Sequence, residues 1–468
     1  MIIPKIYRGR NRTFLFYSWE SNQWGKPTTT VGTVPTPAER QGDFSALLPL
    51  GGNQNPNPYT IYDPVTTVPA SGGRVMRSPF PGNIIPPNRI DPVARSIMAY
   101  YPSPNTIGTS TGQNNYTRIT KDTFDYYVHF LRFDHQFSEK NRAFLRLDYD
   151  HYLESNSNFY NNIATGLNLT RINRGAALDD VIVLSPATVL DLRYGLTYEQ
   201  TPEARRSKGF DLASLGFSPQ LLSLLDPKTE TFPNIYINTK ALTKPCTGAC
   251  TGTFSGFGNF QAGDGNITGI LHDWAATANT LHGNHNFHYG SEFRLYRSFA
   301  FAGGYDVSPG FQFLPTYTNG PFNNSPVAPI GQDFASFLLG IPSGQMTRSA
   351  SYAIQNTYLG LFIQDDWKIT PKLTLNIGLR EETSSPVTER FDRAVRGFDP
   401  TDPNPIAAAA LANYAAHPIS TLPVSQFQVR GGLLFGGPGN HDLWYQPPMT
   451  LLPRFGLAYQ LGSKTVIR

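Results

Sequence analysis

The chain alternates apolar and polar residues with a period of two in several separate stretches. Between residues 373 and 380, Leu373, Leu375, Ile377 and Leu379 share one face, and Thr374, Asn376, Gly378 and Arg380 share the other. Before the turn Thr370-Pro371-Lys372, Leu359, Leu361 and Ile363 share a face that ends in Trp367, with Gly360 and Gln364 opposite. This is a hairpin with one oily and one wet side. A half-buried soluble sheet and a membrane β-barrel both produce it. The pattern recurs. Residues 128–137 and 142–150 flank Ser138-Glu139-Lys140-Asn141, with Ala143, Leu145, Leu147 and Tyr149 facing away from Arg142, Arg146 and Asp148. Residues 174–184 and 189–198 flank Ser185-Pro186-Ala187-Thr188, and a further pair surrounds His282-Gly283-Asn284-His285. A last pair turns at Leu461-Gly462-Ser463-Lys464, and residues 13–20, apolar on both faces, form a first strand.

The links between these stretches separate the two architectures. Short turns alternate with long connections: residues 21–123, 151–173, 199–268, 298–351 and 381–453. Sandwiches and propellers mix loop lengths at both ends, whereas outer-membrane barrels keep short turns on the periplasmic side and long loops outside. The pattern predicts an all-β, antiparallel transmembrane β-barrel. About eleven strands are readable, an odd number where bacterial barrels close with an even one, so part of a barrel is expected. The first connection is rich in Pro, Gly, Asn and Thr and has no sustained period, which predicts an irregular loop with local turns.

Composition agrees with an all-β chain. Of the 468 residues, 15% are charged and 13% aromatic, and Gly 42 with Pro 39 leaves little room for long helices. The net charge of +4 is spread without a basic run, so no nucleic-acid partner is expected. No apolar stretch approaches the length of a membrane helix. Met1-Ile2-Ile3-Pro4-Lys5 lacks the charged-then-apolar order of a signal peptide, so an exported protein is expected to begin upstream.

The blocks NRTFLFYSWESNQWGKPTTTVGTVPTPAERQGDFS, RSPFPGNIIPPNRIDPVARSIMAYYPSPN, FLRFDHQFSEKNRAFLRLDY and YLGLFIQDDWKITPKLTLNIGLR, in this order, resemble successive parts of the Oar-like TonB-dependent receptors of acidobacteria. The resemblance implies a barrel of about 22 strands with an internal plug, preceded in this family by a carboxypeptidase-regulatory-like domain. Residues 12–20 resemble the first barrel strand, so residues 1–468 correspond to about the first half of the barrel. The plug, the domain ahead of it and the remaining strands have no counterpart here. The implied function is a TonB-dependent outer-membrane transporter for a large ligand, either a siderophore, a glycan or a peptide or protein. Its partners would be outer-membrane lipid and the TonB complex, the latter engaged through the plug's TonB box. A rival reading is a secreted or surface all-β protein that binds carbohydrate with aromatic loops.

Local chemistry adds little. Cys246 and Cys250 stand four positions apart in a long connection; an exported loop in an oxidising compartment favours a small disulfide, and metal binding would need two more ligands. His282, His285 and His288 straddle a turn and a strand whose side chains alternate, which works against a shared metal. Asp264 reads as a turn residue and Asp365-Asp366 as neighbours on opposite faces. Gly303-Gly304 and Gly436-Gly437 lack the following helix of a phosphate loop, and residues 406–416 suggest a short helix inside the last connection. No nucleophile, acid–base pair or cofactor site is expected.

Overall fold

The computed structural model describes residues 2–3, 7–156, 158–225, 230–237, 257, 265–301, 310–342, 346–347 and 351–468. Eleven strands run side by side in one antiparallel sheet, each paired with its neighbours in sequence. In chain order they are β1 (Thr13–Gly32), β2 (Tyr116–Ser138), β3 (Asn141–Asn156), β4 (Leu167–Ser185), β5 (Thr188–Arg205) and β6 (Gly265–His282). Then come β7 (His285–Phe301), β8 (Tyr352–Thr370), β9 (Leu373–Ser384), β10 (Thr450–Gly462) and β11 (Thr465–Ile467). A two-residue strand, Thr388–Glu389, also pairs with β8. Two-residue links join β2 to β3, β4 to β5, β6 to β7, β8 to β9 and β10 to β11, all at one end of the sheet. The five short turns read from the sequence are therefore the five hairpins observed.

Register fixes the faces. Leu379 stands opposite Ile363, which stands opposite Tyr289, so one apolar row crosses β7, β8 and β9. Arg380 stands opposite Phe362, and Glu382 opposite Gly360 and so in line with Glu292, on the other face. The apolar face is open to its surroundings: Trp19 is 60% exposed and Ile363 54%. A face of this kind stays out of water only against lipid. Two aromatic bands border it. Towards the short turns, Trp367 and Phe287 stack on His285. Towards the long connections, Tyr194, His272, Trp274 and Phe293 cluster, as do Tyr17, Tyr127, His129 and Tyr149. Leu375, in register with Trp367, therefore lies in the band near the turns, and Leu379 lies nearer the middle.

The strands extend well past the stretches that alternate. β1 continues from Glu20 to Gly32, and β2 begins at Tyr116 rather than after Thr123. Beyond the bilayer neither side of a strand touches lipid, so both faces are free to be polar. The ladder then continues through Ser21, Asn22, Gln23 and Thr28 without a hydrophobic period. Pro27 is accommodated there because β1, among the described residues, pairs on one side only.

The larger departure concerns the long connections, the first of which lacks any period and is expected to be irregular. Four of them fold together. Phe44, Ile61, Ile85, Ile97 and Tyr101 from the first share a core with Tyr160 from the second, and with Leu212, Phe232 and Phe257 from the third. Phe311, Phe334, Phe337 and Leu338 of the fourth complete it. Asn234–Ile237 pairs in parallel with Gly310–Phe313, tying the third connection to the fourth. The result is a compact cap on one end of the sheet. Tyr116 belongs to its core, and Leu167 and Arg205, in register with each other, are buried beneath it. The fifth connection contributes no described residue to that core. Its helix, Ala407–Ala416, has no buried residue.

Candidate functional site

The polar face of the sheet carries a belt of paired charges. Arg380 on β9 donates to Glu382 Oε1 at 2.6 Å, to Tyr358 Oη at 2.7 Å and to Glu292 Oε2 at 3.2 Å. Glu292 also accepts from Arg294, which reaches Asp273 of β6 at 3.6 Å. Further round, Arg193 bridges Asp179 of β4 at 2.6 Å and Asp191 at 2.8 Å. Arg132 pairs with Asp134 at 2.8 Å and lies 3.8 Å over the ring of Phe144. Arginine suits this task because its planar fork holds two acceptors at once and stays charged. These side chains lie flat along the wall because glycines face them. A Cβ on Gly360 would meet Arg380 Nη2 at 2.8 Å and Tyr358 Oη at 2.9 Å, and one on Gly175 would meet Asp148 Oδ2 at 2.2 Å.

A direct consequence is that Gly360→Val displaces the Arg380 guanidinium, with an expected loss of about 1–3 kcal/mol from overpacking. Urea unfolding midpoints in lipid vesicles measure it. Most of the loss should vanish in an Arg380→Ala background, as two changes sharing one space are not additive; an undiminished loss there would contradict the assigned packing.

The cap is held by buried polar side chains that span its segments. Arg77 donates through Nη1 to the carbonyls of Thr316 and Asn319, both at 3.1 Å. Asn83, 3% exposed, accepts from the Ile61 amide at 2.7 Å and donates to the carbonyls of Phe44 and Tyr59. Gln332 donates to the carbonyls of Pro58 and Thr60 at 2.9 and 3.0 Å. These bonds pair loop carbonyls, and the Ile61 amide, whose burial unpaired would be costly.

Titratable groups are buried in the cap as well. Asp333, in the first turn of the helix Gln332–Leu338, has no exposed surface. Burial pushes its carboxyl up to about 7, against the pull of backbone amides that include Phe334, which donates to Oδ1 at 2.9 Å, and with a further push from Glu39. Its other oxygen, Oδ2, has no hydrogen-bond partner among the described residues. Glu39 is also raised by burial, although Thr36 holds it in a capping box. Burial lifts the Tyr101 hydroxyl well above its ordinary value.

The residues singled out in the sequence disperse. His285 Nδ1 contacts Asp365 Oδ2 at 2.7 Å on the apolar face, whereas His288 Nε2 approaches Asp366 Oδ2 at 3.5 Å on the polar face. His282 stands opposite His285, but His288 faces the other way, so the three share no focus, and among the described residues no cluster of His, Cys, Asp and Glu could hold a metal ion. Cys246, Cys250, Asp264 and Gly303-Gly304 lie outside the described residues. Composition could not reveal the belt or the cap core, because both depend on pairings between distant segments.

A search of curated proteins finds no match. Among solved structures, the outer membrane transporter YddB from Escherichia coli aligns at 11% identity and a TM-score of 0.32, over 58% of this chain and 29% of its own. BauA, the ferric preacinetobactin receptor from Acinetobacter baumannii, aligns at 10% identity and a TM-score of 0.31, over 75% of this chain and 41% of its own. The chain thus spans less than half the length of either. A family model for an outer membrane beta barrel domain matches residues 3–468. With a lipid-facing apolar surface, a charged inner wall and short turns at one end only, this protein belongs to the outer membrane β-barrel domain family and resides in the outer membrane.

Proposed function

We propose that this chain forms part of the wall, and the external cap, of a TonB-dependent transporter that carries a large ligand across the outer membrane. The carrying observation is the cap: four long connections share one folded core at one end of the sheet. The short turns are periplasmic and the cap external, following the usual placement in such barrels. The charged wall beneath gives a hydrated path for polar solutes. Among the described residues β1 and β11 each pair on one side alone, and unpaired backbone groups are costly in hydrocarbon, so further strands would close the barrel. A plug with a TonB box would supply the link to the inner-membrane motor, as the sequence resemblance implies. No enzymatic step enters this reading, and the exposed apolar face of the sheet argues against the soluble carbohydrate-binding alternative.

The test uses the full-length gene product in a Gram-negative host. It should float with the outer membrane in a density gradient, and site-specific cross-linking from its plug should capture the TonB C-terminal domain. Outer-membrane flotation without cross-linking would remove TonB energisation and leave a barrel of another kind.

A further inference from the structure

The ladder between β2 and β3 stops short. Pairing runs from Ser138 back to Thr123, which stands opposite Ser155. β2 continues for seven residues more, to Tyr116, paired on its other side with β1. The backbone of Thr117 faces away from β1 and is satisfied by a side chain: its amide donates to Asn105 Oδ1 and its carbonyl accepts from Asn105 Nδ2, both at 2.8 Å. Because strand residues alternate in the side to which their backbone groups point, Ile119 and Lys121 aim the same way as Thr117 and Thr123. Between the Asn105 amide and the end of β3, these two residues have no sheet partner on the side away from β1 among the described residues. Ile119 is 70% exposed.

The gap opens into a depression of 660 Å3 lined by the whole stretch from Arg118 to Thr123, with Asn156, Asn158, Asn161, Asn168 and Arg206 around it. Its charge is positive. Its lining includes Arg118, Lys121 and Arg206 and one carboxylate, that of Asp122, which already accepts from the Thr28 hydroxyl at 2.8 Å, while the Lys121 side chain lies over Gly25 of β1. Arg118 Nε is shielded from solvent and has no acceptor among the described residues.

We propose that this gap is a binding site for an extended acidic peptide, which adds a short strand beside Ile119 and Lys121 and places a carboxylate against Arg118 and Arg206. Backbone bonds to a strand edge give such a site its affinity, and the flanking cations give it a preference. The distance from Thr117 to Thr123 is about 20 Å of extended chain, room for about three to five ligand residues. At this height the strands have passed the aromatic band nearest the cap, so the site opens to the exterior. The inference rests on the transporter reading, to which it adds a ligand class.

The experiment is fluorescence anisotropy of a labelled peptide, acetyl-Thr-Glu-Val-Glu-Thr-amide, with the full-length gene product refolded in detergent. Saturable binding is expected, weaker by about tenfold or more when alternate peptide amides are N-methylated, since each lost backbone bond removes about 1 kcal/mol or more. Replacing both glutamates by glutamine should weaken it and flatten its salt dependence. Ile119→Pro removes an amide that faces the gap and spares the β1 ladder; the same tenfold loss is expected, with an unchanged far-ultraviolet spectrum. Equal binding of plain and N-methylated peptide, no saturable binding, or binding only of an anionic oligosaccharide in its place would each overturn the proposal. Flotation and TonB cross-linking do not use the peptide, so the transporter reading would survive that failure.

Discussion

Leu379→Arg should cripple assembly of the barrel, while Asn376→Arg, three positions earlier, should be nearly silent. Leu379 faces lipid, in register with Ile363 and away from the aromatic band at Trp367 and His285. Arginine near the bilayer midplane of such a barrel costs about 2–4 kcal/mol. Asn376 faces the inner wall, pairs across strands with Asp366 and Gly456, and donates to the Asp366 carboxylate. An arginine there finds a carboxylate, the space left by a glycine, and water. Refolding yields into vesicles, followed by urea titration of what folds, separate the two variants. Equal yields would mean that inside and outside have been exchanged.

The second expected result concerns pH. Asp333 in the folded cap holds its proton up to about 7, whereas an exposed aspartate releases it near 4. Between these values the folded cap binds a proton that the opened cap lacks, so stability falls as pH rises. It is highest below about pH 4, declines to about pH 7, and is flat above; the full loss is roughly 4 kcal/mol. Asp333→Asn removes that ionisation. Hydrogen exchange of the cap, measured from pH 5 to 9, should show the native cap loosening as pH rises, beyond the intrinsic rate change, and the variant loosening much less. Glu39, raised by burial in the same direction, leaves a residual slope. Superimposable profiles would show that Asp333 is not the group that titrates.

The sequence was readable wherever lipid lies on one side of the backbone. Leu373 to Leu379 alternate because one face must be apolar there, and the two-residue turns then set the register, bringing Glu382 beside Gly360 and Arg380 beside Glu292. The same logic fails above the membrane, where β1 and β2 continue with polar residues on both faces. The cap core was hidden for another reason. Phe44, Phe232 and Phe334 are each isolated in stretches of Pro, Gly and Asn, and they become a core only when three connections meet. The gap beside Ile119 was hidden because half of its recognition groups are backbone, and Arg118 and Arg206, far apart in sequence, meet only through the fold.

The shared core also dictates an order of assembly. Val34 and Leu338 belong to one cluster although some three hundred residues of chain separate them. Closing so long a loop early is entropically costly, and contacts of that separation form late in folding. The hairpins, each closed by a two-residue turn, bring the connections together first, so the cap is the last part to form. Lesions such as Phe334→Ala should therefore leave membrane insertion intact and yield a barrel whose outer end stays open and protease-sensitive. Biogenesis and ligand recognition would then be genetically separable in one polypeptide.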